Sequence, residues 1–270
     1  MRWRGILAVV RRDLTVALGS KAVVLPALIV PLVLLVLLPA AAGLVPRFMD
    51  AATLGDLEAF LDILPAGVVA RLPTDPGLQA AVLTVTHLLA PMVLLVPVMF
   101  AAVIAADGIA GEKERGTLEG LLLTPLHDRE IATAKLLAAW VPAVALGLGG
   151  AVVYAAVANL SVGLQLGRLV LPTAEFAVMA VWVGPTFAAA ALGAVSLVSI
   201  RVKTTQEAFQ VGGVVVLPVV ALLMTQATGV LLLSVWLLVV AGLVAVGVAG
   251  GLLALGAGSL SRSRLGERLR

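Results

Sequence analysis

From Val230 to Gly258 the chain reads "VLLLSVWLLVVAGLVAVGVAGGLLALGAG", without one charged residue. A helix crosses the hydrocarbon core of a bilayer in about 20 residues. This run exceeds one crossing, so it either tilts or turns back into the membrane after the tight "QATG" turn at 226–229. No water-soluble domain could house it. The remainder of the 270 residues has the same character, 61% hydrophobic and 12% charged, where a soluble domain carries about a quarter of its residues charged. Mean hydropathy is +1.15. A transmembrane barrel would alternate polar and apolar residues in short strands, and no such alternation occurs. The fold class is therefore all-α, a polytopic membrane protein. With no cysteine in the chain, a disulfide framework, a cysteine-based metal site and a thiol nucleophile are excluded.

Six spans are expected, at 22–45, 84–106, 136–158, 176–200, 208–227 and 231–258, in a single transmembrane domain over 1–270. Pro26, Pro31 and Pro39 predict kinks in the first, since each removes a backbone donor. Of the 18 Lys and Arg, 15 fall in the segments 1–21, 107–135, 201–207 and 259–270. Only three lie on the other side, in 46–83 and 159–175. Short Lys/Arg-rich loops stay cytoplasmic, so both termini and the 111–130 segment are expected inside, in the cell membrane of a prokaryote. An even number of spans gives the same answer.

The amino end, 1–20, predicts a helix lying in the membrane interface. Trp3, Ile6, Leu7, Val10, Leu14, Ala17 and Leu18 share one helical arc, with Arg4, Arg11 and Arg12 outside it to snorkel toward phosphates. A cleaved signal peptide ending at "PAAAG" would need a longer apolar region and a longer basic leader than such peptides have. The external segment 46–83 predicts a short amphipathic helix. Leu54, Leu57, Phe60, Leu61 and Leu64 fall at helical spacing, and Asp56, Glu58 and Asp62 form a solvated face.

The stretch "GEKERGTLEGLLLTPLHDRE", residues 111–130, carries most of the charge in the middle of the chain. Thr117 is placed to cap a new helix, Leu118, Leu121 and Leu122 recur at i, i+3 and i+4, and Pro125 ends the run. A short apolar knob framed by charges suits the groove of a soluble partner. It equally suits a loop helix resting on lipid.

"GEKERGTLEGLLLTPL" closely resembles the cytoplasmic segment between the second and third spans of ABC exporter permeases of the type-two class. The resemblance implies a coupling helix that docks on an ATPase subunit, carried here by Glu112, Glu114, Arg115, Gly116, Thr117, Leu118, Glu119, Leu122, Leu123, Thr124 and Pro125. It extends to the interfacial amino-terminal helix, the six spans and the inside termini. One departure stands out: members of the class often carry re-entrant helices between the fifth and sixth spans, and the turn at 226–229 leaves room for only a short one.

The chain offers no fuel site of its own. A P-loop needs Gly-x-x-x-x-Gly-Lys-Ser/Thr, and the Lys203-Thr204 pair follows "VSIRV", which has no glycine. All 15 acids sit in loops or at span ends, Asp107 and Glu175 being nearest the membrane, and His87 reads as a polar residue facing water at the outer end of its span. The chain is thus expected to be no enzyme and to hold no cofactor, with ATP and Mg on two partner ATPase subunits. Arg201, Lys203, Gln206 and Glu207 form a second cytoplasmic contact. Six spans make half a pathway, so a second permease subunit, identical or homologous, is expected. Gly247 with Gly251, and Gly147 with Ala151, are spaced for close helix contact. The rival is an ion-coupled secondary transporter or channel, which needs an ionisable group within a span. An intramembrane enzyme would need convergent catalytic groups. Ser196, Ser199, Tyr154, Asn159 and Thr186 are scattered and have no base beside them.

Overall fold

The computed structural model describes residues 3–19, 25, 28–48, 50–64, 66–116, 127–199, 201–202, 204–221 and 234–259. All regular structure among them is helical. Four helices have the length and apolarity to cross a membrane: α5 (Pro76–Glu114), α6 (Glu130–Leu166, its first turn beginning at Asp128), α7 (Ala174–Ser199) and α9 (Val235–Ser259). Before them come α1 (Trp3–Gly19), the shorter apolar α2 (Leu28–Ala42), α3 (Ala51–Ile63) and α4 (Ala66–Val69); α8 (Thr205–Val214) lies between α7 and α9. The expected first span is represented by α2 and the fifth by α8 with its continuation to 221. The turn at 226–229, with any re-entrant segment, lies outside the described residues.

Two helices run beyond both ends of the spans expected in them. The second begins at Pro76, ahead of 84, because Asp75 caps it: the Asp75 carboxylate accepts from Leu78 N at 2.8 Å, and Pro76 occupies the first turn. It also runs on to Glu114, where a loop was expected after Asp107. A π turn at Asp107–Gly111 carries the helix through the glycines. The third span starts at Asp128, eased by Glu130 Oε2 accepting from His127 N at 3.1 Å. It ends at Leu166 after a further π turn at Asn159–Gly163.

Irregular turns recur elsewhere, and in α2 one falls where the prolines predict a bend. α2 is π-helical from Leu32 to Leu37, between Pro31 and Pro39. α5 changes from a π turn at Thr84–Leu88 to a 3-10 stretch at Ala90–Leu94 around Pro91. The carbonyl of Val85, within that first π turn, accepts from Tyr154 Oη at 2.7 Å. Tyr154 is wholly buried and stacks on Phe176, with ring centroids 5.7 Å apart. Asn159 does similar work one turn later: its Oδ1 accepts from Val170 N and Leu171 N, while its Nδ2 donates to Leu171 O. That satisfies the backbone of the connection entering α7. Thr186 donates back to Trp182 O, as isolated hydroxyls in apolar helices do.

The core lies along α5, the most enclosed helix. It is packed between α6 and α7, and α9 lies along α7. Glycines permit the closest approaches. A Cβ on Gly147 of α6 would sit 2.8 Å from Pro97 Cβ of α5, and one on Gly193 of α7 would sit 2.9 Å from Leu252 Cβ of α9. A Cβ on Gly242 would fall on the Trp182 indole. Gly147 and its neighbour Ala151, which is buried, therefore pack within the chain. Among the described residues, nothing lies within 4 Å of a Cβ on Gly247 or Gly251.

The segment expected outside does form a helix, α3. Leu57, Phe60 and Leu61 are half-buried, Leu64 is buried, and Asp56, Glu58 and Asp62 are exposed. In α1, Arg4, Arg11, Trp3 and Leu7 are exposed, Val9 is buried and Val10 half-buried against Ile131, Ala134 and Leu137 of α6. The helix therefore uses Val9 against the bundle and leaves Trp3 and Leu7 facing outward, the arrangement an interfacial helix needs.

Replacing Gly242 by Leu forces the Trp182 indole out of its seat. A melting temperature measured for the isolated chain in detergent is expected to fall by an amount corresponding to roughly 1–3 kcal/mol of overpacking. Gly247→Leu, which meets open space, is expected to leave it nearly unchanged. Equal losses from the two would contradict the packing described.

Candidate functional site

The segment 111–116 opens the stretch that the sequence singles out. Each of its four consecutive charged residues is tied to a different part of the molecule. Glu112 is buried, with 4% of its surface exposed. Its Oε2 accepts from Lys135 Nζ of α6 at 2.7 Å, and its Oε1 lies 3.1 Å from Arg12 of α1. Lys113 Nζ donates to Val202 O at 3.1 Å. Glu114 Oε2 accepts from Thr205 N at 2.9 Å and from Thr205 Oγ1 at 2.6 Å. A carboxylate from α5 thereby satisfies an orphan amide in the first turn of α8. Arg115 folds back along its own helix, its Nη1 3.0 Å from Asp107 Oδ1.

Lys135 is the hub. Its ammonium has three protons and finds three acceptors: Glu112 Oε2 at 2.7 Å, Gly108 O at 2.7 Å and Asp13 Oδ2 at 3.5 Å. The Gly108 carbonyl belongs to the π turn, where the backbone is locally widened. Burial raises the Asp13 carboxyl above the ordinary carboxylate value, and the Lys135 charge beside it opposes that rise. Gly111 provides the necessary space. A Cβ there would sit 2.6 Å from Asp107 Oδ1 and 3.0 Å from Arg115 Nη2, so a side chain would part that ion pair.

Three acids (Asp13, Asp107, Glu112) thus face three bases (Arg12, Arg115, Lys135). The cluster is neutral within itself and has no surplus charge with which to hold an ion. A cavity of about 30 Å³ beside it, bounded also by Ser196, has room for about one water. Chemically the arrangement is a clamp. It fixes α1, the end of α5, the start of α6 and the α7–α8 connection to one another.

Of the residues the sequence points to, Glu112, Glu114, Arg115 and Gly116 are described; Gly116 adopts the left-handed conformation (φ +66) and turns the chain out of α5. Thr117, Leu118, Glu119, Leu122, Leu123, Thr124 and Pro125 lie outside the described residues. Arg201, Gln206 and Glu207 are exposed next to the clamp; Lys203 lies outside the described residues. The two elements that sequence analysis named separately are therefore bonded neighbours, through Lys113–Val202 and Glu114–Thr205. Sequence reasoning missed Asp13, Lys135 and Gly111. A signal existed: Lys135 stands alone in "IATAKLLAAW", and an isolated ammonium in an apolar helix needs a buried partner.

A family model described as "ABC-2 family transporter protein" matches residues 7–234. The match takes in α1 through α8, with the clamp inside it, and the chain belongs to that family. It is a membrane-embedded permease subunit of an ABC transporter and not a nucleotide-binding subunit, and permeases of this family generally work with ATPase subunits. No curated protein matches the chain.

Removing one member of a buried pair leaves the other charge uncompensated. Lys135→Met takes from Glu112 and Asp13 the buried cation they share, with Arg12 still beside both, and is expected to cost up to roughly 3–5 kcal/mol, read as a lowered melting temperature in detergent. Pairing it with Glu112→Gln is expected to recover part of that loss. Strict additivity of the two would contradict a coupled cluster.

Proposed function

We propose that this chain is the permease half of an exporter, and that the 111–126 segment is the lever by which separate ATPase subunits drive it. ATP binding closes a pair of nucleotide-binding subunits, which hold ATP and Mg. Their movement is applied to the apolar face of Leu118, Leu121 and Leu122 and to the exposed Arg201, Gln206 and Glu207. The spans then shift between two discrete packings that open the pathway alternately to either side. Both termini lie in the cytoplasm of a prokaryotic cell, and two permease subunits, identical or homologous, flank the route.

The observation that carries this reading is the set of bonds made by 112–115. A displacement applied just beyond Gly116 meets a stiff joint, because Glu112, Lys113 and Glu114 hold α6, the 201–202 connection and α8 respectively. In this reading Glu112 and Arg115 set the angle of the lever, and the residues after Gly116 touch the partner. Of the two acids that sequence analysis placed nearest the membrane, Asp107 is already paired with Arg115 within the clamp, which supports a driven permease over an ion-coupled carrier working through that residue.

Leu122→Asp is expected to abolish copurification with the ATPase subunit. Glu114→Ala, which removes both bonds to Thr205, is expected to preserve binding but to lower the transport obtained per ATP hydrolysed. Both are measured on the assembled complex in liposomes. Transport by the chain alone, with no ATPase subunit present, would overturn the assignment.

A further inference from the structure

At the end of the bundle away from the clamp, a cavity of about 370 Å³ lies between the turn after α4, the first turns of α5, the 166–175 connection and the start of α7. Its surface is divided. Leu72, Val82, Leu166, Val170 and Met179 supply apolar wall, Arg71 and Arg168 stand exposed at the rim, and Thr86, His87 and Glu175 are half-buried. The Arg168 guanidinium donates to Arg71 O at 2.9 Å, which holds the two cationic residues to one edge. That bond uses one of the five donors of Arg168. Among the described residues the Arg71 side chain and the Glu175 carboxylate have no hydrogen-bond partner.

The polarity of His87 follows from its neighbour. Thr86 Oγ1 donates its one proton to Val82 O at 2.7 Å, so its 2.7 Å contact with His87 Nδ1 requires the proton to be on Nδ1. The Nε2 of a neutral His87 is then an acceptor. The cavity thus offers guanidinium donors at its mouth and, further in, two acceptors: a carboxylate and an imidazole nitrogen.

We propose that this cavity binds the headgroup of an amphiphile in which a phosphate neighbours an ammonium group. The phosphate matches the paired guanidiniums, which bind phosphate oxygens with charge-assisted bonds. The ammonium matches Glu175 and His87 Nε2. At about 370 Å³ the space is near the lower end for ligand pockets, which suits a headgroup and its first methylenes rather than a whole lipid. The tail stays outside, along the exposed Leu164 and Leu169. Glu175 selects against heads that carry only negative charge. This site is separate from the coupling segment and goes beyond the permease reading, because it concerns binding by the chain alone.

The test titrates the full chain, without partner subunits, in detergent micelles by native mass spectrometry. The probes are dioctanoyl phosphatidylethanolamine, dioctanoyl phosphatidylglycerol, dioctanoylglycerol and O-phosphoethanolamine. Saturable binding of one phosphatidylethanolamine is expected, with dioctanoylglycerol and O-phosphoethanolamine each weaker by about tenfold or more, the loss of roughly one charged contact or of the apolar contact. Arg71→Gln, whose side chain supports no described bond, is expected to weaken phosphatidylethanolamine about tenfold. Glu175→Gln is expected to erase its preference over phosphatidylglycerol. The proposal is overturned if dioctanoylglycerol binds as well as the phospholipid, if O-phosphoethanolamine alone matches it, or if Arg71→Gln changes nothing.

Discussion

The buried bond between Lys135 and Glu112 is the constraint around which one end of this molecule is organised. Two opposite charges taken out of water are tolerated only when every remaining proton and lone pair finds a partner. Lys135 meets that condition with Gly108 O and Asp13, and Glu112 meets it with Arg12. The partners come from α1 (Arg12, Asp13) and from the end of α5 (Gly108, Glu112), so satisfying one ammonium group of α6 fixes the three helices together. The π turn at Asp107–Gly111 belongs to the same solution: it carries α5 past the expected exit and presents Gly108 O to the ammonium.

The same end of the molecule explains why a short charged sequence sits between two apolar helices. The charges of 112–115 point inward or sideways, to Lys135, Val202, Thr205 and Asp107. Electrostatics thus supplies the rigid joint, and the apolar residues after Gly116 are left to supply the surface. A lever needs both a grip and a fulcrum. In the proposed mechanism the leucines are the grip and the clamp is the fulcrum, which lets a push from an ATPase subunit reach spans that share no covalent neighbour with it.

Much of this was legible in the sequence. Apolar runs marked the four membrane-length helices, and Pro31 and Pro39 bracket the wide turn of α2, because length and backbone chemistry dictate both. The α3 helix was readable from the spacing of Leu57, Phe60, Leu61 and Leu64. What sequence did not reveal was the partnering. Nothing in "RRDL" and "TAKL" says that Asp13 and Lys135 meet, since they are brought together by the packing of α1 on α6 through Val9 and Ala134. The continuation of α5 through "DGIAGEKE" was hidden for a related reason: two glycines and a run of charges read as a loop, and only their buried partners make them helical. The glycine pairs show a similar limit. Gly147 and Gly247 look alike in spacing, yet one meets Pro97 and the other meets nothing among the described residues.

The most direct test uses the chain's lack of cysteine. Spin labels attached through Leu164→Cys and Val181→Cys, on the exposed surfaces of α6 and α7, report the separation of these helices in the complex with its ATPase subunits. Trapping ATP on those subunits is predicted to shift the distance distribution, and Glu114→Ala is predicted to suppress the shift while ATP still binds. A distribution that ignores ATP, or one that moves equally with the Glu114–Thr205 bond removed, would contradict a clamp that transmits force.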